Sequence, residues 1–431
     1  MTGFLDFARR NARWLGGAFL LCFGSSFGQT FFISLSGGEI RRELALSNGA
    51  FGFIYMVATL GSAATLPFAG RLLDRFSTRQ VAAVVILGLA LACLLMASVQ
   101  NVAMLVIAIY LLRFFGQGMM SQIAFTAVGR WFIANRGRAV SIATIGNQAG
   151  EAIFPLSFVT LATWLGWRGN WIASAAILAL VALPAITTLV RLERDPSSGQ
   201  RTALRPAARD WTIGEVLRSW AFYVLCLGVL APPFIATSIF FHQVFLTEER
   251  GWPLELFASS FIVMSAVTAG FALVCGWMID RFTALRILPF FLVPMTLACL
   301  VIANATEIGF VFLFMALLGI SNGFSATLFG ALWPEVYGTK HLGQLRSVVL
   351  AAIVFGSALG PGLTGVLIDR GVPLSSQINA MALYCLVATI LMTFVSLRLR
   401  GSAHLRPLDP PLPEPIVDRI DPDPEMSRPR A

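Results

Sequence analysis

The sequence predicts an all-α membrane protein: twelve transmembrane helices in two six-helix, pseudo-symmetric halves. Three observations lead there. The 431 residues are 57% hydrophobic and only 12% charged, with mean hydropathy +0.77. A soluble globule carries about twice that share of charge, so this much apolar mass is solvated by lipid. The apolar residues also fall into runs of about 20, the length that crosses a bilayer core. Finally, the charged turn Gly70-Arg71-Leu72-Leu73-Asp74-Arg75-Phe76-Ser77-Thr78-Arg79 returns later as Gly276-Trp277-Met278-Ile279-Asp280-Arg281-Phe282-Thr283-Ala284-Leu285-Arg286. A charged turn repeated between membrane-length runs marks an internally duplicated membrane protein.

Taken in order, the apolar runs place helices near 14–36, 50–70, 80–99, 101–124, 139–163, 170–190, 219–241, 254–276, 286–304, 308–331, 347–369 and 378–398. The first run follows Arg9, Arg10 and Arg13, as the core of a signal peptide would. It is span-length and lacks a small-x-small cleavage site, so it is expected to be the first helix. With a cytoplasmic N-terminus, Arg41, Arg42, Arg168, Arg250 and Arg370 fall outside and Arg113 falls within the fourth run, while all other Lys and Arg of the 31 fall inside. That asymmetry orients both termini to the cytoplasm, as expected of a multi-pass protein of the bacterial inner (plasma) membrane.

Residues 1–190 thus form the first half and 219–398 the second. The stretch 191–218, with Pro196, Ser197, Ser198 and Gly199, is a polar cytoplasmic linker. Residues 399–431, rich in proline at Pro407, Pro410, Pro411, Pro413 and Pro415, form a disordered cytoplasmic tail that cannot bury a core.

Composition also excludes functions. The net charge of +9 would point to nucleic acid in a soluble chain, but here the arginines sit in short loops between apolar runs and report orientation. Cys22, Cys93, Cys226, Cys275, Cys299 and Cys385 all lie inside apolar runs without a Cys-x-x-Cys pair. They read as packing residues, without disulfide or metal. No Gly-x-x-x-x-Gly-Lys loop is present, and no serine–histidine or metal-ligand grouping. Neither ATP-driven pumping, nor an enzyme, nor a bound cofactor is expected.

The repeated pattern Gly-x-Leu-x-Asp-Arg-x-x-x-Arg resembles the loop 2–3 signature of the major facilitator superfamily. Its second copy stands where that family has its loop 8–9 copy, although Ser77 stands where the family often has glycine. The resemblance covers nearly the whole chain. It implies a secondary-active transporter. It also implies that Gly70, Asp74, Arg75, Arg79, Gly276, Asp280, Arg281 and Arg286 form a gating motif holding the outward-facing state closed on the inside. Asp74 and Asp280 are expected to accept hydrogen bonds from a neighbouring helix N-terminus, whose dipole favours an anion, and to pair with nearby arginines. The plainer reading is a basic cytoplasmic connector.

Gly146-x-x-x-Gly150 and Gly356-x-x-x-Gly360-Pro361 stand in the fifth and eleventh runs. Such spacings let helix backbones approach closely, here as gliding contacts between the halves or as plain packing.

Two charges lie deep in the membrane. Arg113 and Glu151 each fall roughly 18 Å along their helices, near the midplane, at about 1.5 Å per residue. An isolated charge there is costly, so the two are expected to face the interior and pair, either as part of a transport pathway or as a structural ion pair. Arg113-Phe114-Phe115-Gly116-Gln117-Gly118 resembles, at shorter spacing, the superfamily's helix 4 motif, whose arginine serves coupling or substrate contact. The fifth run lacks the Gly-Pro-x-x-Gly-Gly element of drug–proton antiporters; Glu151 stands near that place. Other polar residues within the spans are Gln29, Thr30, Tyr55, Asn147, Gln148, Ser321 and Asn322, with His242 and Gln243 ending the seventh helix. Such residues ordinarily make helix–helix hydrogen bonds. As a set, they lie on helices that face the cavity in this superfamily. His242 reads as an interfacial histidine near the outer surface.

Gly166-Trp167-Arg168, the loop Trp131-Phe132 to Arg136-Gly137-Arg138-Ala139, and Phe241-His242-Gln243 are similar to bacterial relatives of the monocarboxylate and oxalate–formate porters. The anion-binding basic residues that better-known members carry in helices 8 and 11 have no counterpart here.

The expected function is therefore proton-coupled transport of a small organic anion such as a monocarboxylate. Arg113, Glu151, Gln29, Asn147, Gln148, Asn322 and His242 are the candidate substrate and coupling residues. The partners are that small molecule, protons and the lipid bilayer, not nucleic acid, and the protein is expected to be a monomer. The alternatives are proton-driven efflux of amphiphilic compounds and a non-transporting membrane sensor. A reporter fused after Arg191 should read cytoplasmic and one inserted at 250–252 external; the reverse at either site would break the twelve-helix topology.

Overall fold

The computed structural model describes residues 2–132, 136–192, 194, 210–338 and 340–401. Its membrane-crossing elements are α1 (Ala12–Gly28 and Thr30–Glu43, bent by 44°), α2 (Asn48–Gly70), α3 (Thr78–Ala97) and α4 (Val102–Trp131). Next comes one unbroken run, Gly137–Leu189, followed by α7 (Trp220–Phe241), α8 (Leu254–Phe282), α9 (Ala284–Asn304), α10 (Gly309–Tyr337), α11 (Leu342–Asp369) and α12 (Leu374–Gly401). The 53-residue run would reach about 80 Å as one helix, more than twice a bilayer core. It divides at Gly166, whose φ of 66° and ψ of 171° are not helical, into α5 before and α6 after that residue. The described residues hold ten helices long and apolar enough to cross a membrane, or eleven with α1 as one bent crossing, and dividing the long run at Gly166 gives twelve stretches of spanning length.

Local chemistry sets several ends. Ser47 caps α2 by accepting from the Ala50 N–H at 3.0 Å. Ser77 and Gln80 close a capping box on α3, and Asn101 caps α4 through the Met104 N–H at 2.9 Å. Several helices run a turn or more past their apolar runs: α8 continues to Phe282 and α10 to Tyr337. Large apolar side chains such as Leu91, Leu180 and Leu273 point outward, as lipid-facing residues do. A short helix, Ile213–Arg218, precedes α7, and Trp211 N–H donates to the Tyr337 carbonyl at 3.0 Å. Pro196 to Gly199 and the tail beyond residue 401 lie outside the described residues.

The small-residue spacings do not join the two halves. A Cβ added to Gly146 would stand 3.0 Å from the Phe19 carbonyl carbon and one on Gly150 would strike Ser26, so both pack α5 on α1. Gly356 and Gly360 pack α11 on α7, against Leu230 and the Phe234 carbonyl. Each half thus uses one glycine pair for its own internal seam. The halves meet through α2 and α11, and through the α5–α6 run and α8.

Hydrogen bonds between the halves cluster at the end opposite the chain termini. Ser34 donates to the Phe240 carbonyl at 2.7 Å, and Gln243 Nε2 donates to the Phe31 carbonyl and to Ser34 Oγ, both at 2.8 Å. Gly49 N–H donates to Asp369 at 2.8 Å. Toward the opposite end, a Cβ added to Gly137 in α5 or to Gly276 in α8 would meet no neighbouring element within 4 Å.

Thr283 begins α9 at φ 74°, where a β-branched residue is strained. It occupies the place of Ser77 in the repeat, and Ser77 has φ of −65°. The second copy of the turn therefore needs a glycine-like backbone where the first does not. Thr283→Gly should raise stability by about 1 kcal/mol, read as a higher midpoint of thermal unfolding in detergent; a lower midpoint would contradict the strain.

Candidate functional site

The site is built around a break in α1. The stretch Gly24-Ser25-Ser26-Phe27-Gly28 holds few good helix formers, and the chain turns extended at Gln29, with φ −82° and ψ 154°. The break frees the Gly28 carbonyl from the helical ladder. Gly28 also lies so close to α4 that an added Cβ would collide with the Leu112 carbonyl oxygen and sit 2.8 Å from Gly116 Cα and from Gln117 N.

On the other side of this contact, α4 adopts π-helical geometry from Leu112 to Met120. Such widened turns re-aim side chains, commonly at functional positions. Arg113 stands in that turn and is 2% exposed. Its Nη1 donates to the Gly28 carbonyl at 3.2 Å and reaches Thr30 Oγ1 at 3.4 Å. The guanidinium carbon stands 5.3 Å from the centre of the Tyr55 ring, a cation–π distance, and Tyr55 Oη bonds Thr30 Oγ1 at 2.6 Å. Arg113 Nε is buried with no partner, and no carboxylate lies within ion-pairing distance of the group among the described residues.

The expected pair of Arg113 with Glu151 is not formed. Both charges do stand near the middle of their helices, but α1 lies against both of these helices. Gly116 of α4 seats on Gly28 of α1, and Gly150 of α5 seats on Ser26 of α1. The guanidinium turns into the break in α1 instead of reaching α5. Glu151 is half-buried, with no hydrogen bond or ion pair among the described residues.

Asn147, one turn before Glu151, accepts from Ser25 Oγ at 3.2 Å, and Gln148 Oε1 is buried without a partner. Gln29, at the break itself, is half-buried. Arg113, Gln29, Asn147 and Glu151 thus gather around α1.

Asn322 and His242 belong to the other half. Asn322 is half-buried in α10 beside Gly323, which packs on α8. His242 departs from the expected interfacial histidine: it is 3% exposed, with Nδ1 2.9 Å from the Ser238 carbonyl and Nε2 buried without a partner. Its neighbour Gln243, fully buried, makes the inter-half bonds to α1.

In the repeated turns, Asp74 takes Arg130 Nη2 at 2.5 Å, an ion pair within the first half. No hydrogen bond from a helix N-terminus to Asp74 is found among the described residues. Gly70 lies against Gln122, while Arg75 and Arg79 are exposed. In the second turn, Arg281 spreads over Trp277 and Phe282, Arg286 is exposed, and the Asp280 side chain lies outside the described residues. Glu335 of α10 takes the part expected of an aspartate, accepting the Ala284 N–H at 2.9 Å at the start of α9.

The sequence pattern of the Major Facilitator Superfamily matches residues 18–303 and again 239–424. The chain belongs to this superfamily. It is 25% identical over 365 residues to human monocarboxylate transporter 11, covering 80% of this chain and 75% of that one. An uncharacterized MFS-type transporter of Escherichia coli (strain K12) is 21% identical over 357 residues, 81% of this chain and 86% of the relative. Among solved structures, a bacterial homolog of the human lysosomal transporter Spinster, in an inward-facing and unoccupied conformation, superposes with a TM-score of 0.70 at 16% identity. That match covers 91% of this chain and 99% of the other, and shows the shared fold. As a superfamily member, the chain is a multi-pass membrane transporter of small molecules and not a member of an enzyme family.

The break in α1 was missed by sequence reading, although Gly24 and Gly28 around two serines carry its signal. Gly28→Ala should lower stability by about 2–3 kcal/mol, because the methyl meets backbone on α4 that cannot swing aside. Gly137→Ala, with open space around the added methyl, should keep the unfolding midpoint or raise it slightly; equal behaviour of the two variants would sink the close-contact account.

Proposed function

We propose that this transporter carries a small organic monoanion together with a proton, with Arg113 as the anion anchor and Glu151 as the proton carrier. One observation carries this: a guanidinium buried near mid-membrane with an unpartnered Nε and no carboxylate beside it among the described residues. A buried charge without a counter-ion is destabilising by several kcal/mol, and a substrate carboxylate is the natural way to remove that cost. Guanidinium and carboxylate also match in bidentate geometry. The similarity to monocarboxylate transporter 11 supports the same substrate class.

In the state described here, Tyr55 and Thr30 shield Arg113. Loosening of the Gly28–Thr30 break uncovers the guanidinium, the anion replaces the Gly28 carbonyl, and protonation of Glu151 removes the remaining mid-membrane charge. The halves then rock about the bound solute. Gln29, Asn147 and Gln148 orient it from α1 and α5, and Asn322 and His242 serve from the second half. The turns around Asp74 and Asp280 close the cytoplasmic side in the opposite state. Both termini face the cytoplasm of a bacterial inner membrane, and the unit is a monomer.

Purified protein in liposomes decides the matter. The wild-type protein should accumulate a small monocarboxylate when a proton gradient is applied. Glu151→Gln, which mimics the protonated state, should keep substrate exchange and lose gradient-driven accumulation by at least about tenfold. Arg113→Lys, which keeps the charge but not the fork, should weaken substrate affinity by about tenfold or more. Full gradient-driven accumulation by Glu151→Gln would remove Glu151 as the proton carrier. Proton-driven export of amphiphilic cations with no carboxylate exchange would replace this reading with efflux.

A further inference from the structure

The charged turn has a third relative in the chain. Gly365-Val366-Leu367-Ile368-Asp369-Arg370 repeats the glycine, apolar residues and Asp-Arg of Gly70–Arg75 and Gly276–Arg281. The first two stand at the ends of α2 and α8 on the terminus-bearing side. The third stands at the end of α11, on the opposite side, where the halves are in contact.

There it does what Asp74 does not. Asp369 accepts the Gly49 N–H at 2.8 Å, the second residue of the 23-residue α2. The bond joins the halves and places an anion at a helix N-terminus, where the dipole favours it. Both helices are cut down to glycine for this approach. A Cβ on Gly49 would strike the Asp369 carboxylate and stand 3.1 Å from Val366 Cα, and one on Gly365 would stand 2.5 Å from the Asn48 carbonyl oxygen. One turn further along α2, a Cβ on Gly52 would strike the Pro361 carbonyl oxygen. Arg41 Nη1 steadies the start of α2 by donating to Asn48 Oδ1 at 2.7 Å.

We propose that Asp369 and the glycine-lined start of α2 form a latch that holds the two halves together at the end opposite the termini, and so sets the balance between the two access states. The latch works whatever the transported solute is.

Double electron–electron resonance on the full-length protein in nanodiscs tests it, with spin labels at Arg42 and Glu255. Both positions are exposed, one on each half at the latched end. Asp369→Ala removes the acceptor and should raise the ratio of the long-distance to the short-distance population about threefold, modest because the carboxylate is partly solvated. Gly49→Ala attacks the same contact from the other half and should move the ratio the same way, while Asp369→Asn, which keeps an acceptor but not the charge, should shift it less. Should Asp369→Ala fail to fold, Gly49→Ala decides. Folded, monodisperse variants with the wild-type distance distribution would overturn the latch.

Discussion

The structure turns on one buried cation. A guanidinium near the middle of a bilayer cannot be left to lipid, and neutral partners must hold it when no carboxylate is at hand. Here the Gly28 carbonyl, Thr30 and the Tyr55 ring do so. A helical carbonyl is already engaged with its own ladder, so the first of these partners exists only because α1 breaks. The break in turn demands Gly28, since the carbonyl is brought within reach only by seating α1 on the backbone of α4. The π-helical turn of α4 completes the fit by aiming Arg113 at the break. Three local irregularities thus share one cause.

Close backbone approach serves two different purposes in this fold. Gly146 and Gly150 on α1, and Gly356 and Gly360 on α7, fasten helices that move together. Gly49 and Gly52, against Gly362 and Gly365, face each other across the boundary where the halves must part. The first seams gain from many van der Waals contacts and few polar ones. The second seam adds hydrogen bonds from Gly49, Ser34 and Gln243. Hydrogen bonds are directional and water can replace them when a cavity opens, so they suit a contact that has to be made and broken.

The fold was legible because lipid imposes span lengths and arginine placement, which are properties of the linear chain. The twelve apolar runs, the repeated turn and the depth of Arg113 all follow from that constraint. What escaped was direction around the helix axis. Gly146-x-x-x-Gly150 announces a close contact but not the partner, and the partner proved to be α1 and not the other half. Asp74 was expected both at a helix N-terminus and beside an arginine; among the described residues only the arginine partner, Arg130, is found, while Asp369, in a copy of the same turn, holds the inter-half contact. Which copy bonds across the halves depends on which end of the protein is closed, and that belongs to the conformation.

The separation of Arg113 from Glu151 has a consequence for coupling. Had the two formed an ion pair, protonating the carboxylate would release the cation directly. With α1 packed against both of their helices, neither group senses the other through contact, and communication must pass through the helix they share. That helix is suited to it: Ser25 bonds Asn147 one turn from Glu151, and three residues later the Gly28 carbonyl holds Arg113. Under the proposed mechanism, a displacement of α5 at Asn147 would reach the break at Gly28 through this stretch of α1. Beyond the break, Phe31 and Ser34 bond Gln243 of the second half. The broken helix therefore links the candidate proton site, the candidate anion site and the inter-half seam in one continuous stretch of backbone, where a straight helix would present no free carbonyl to bind or to release.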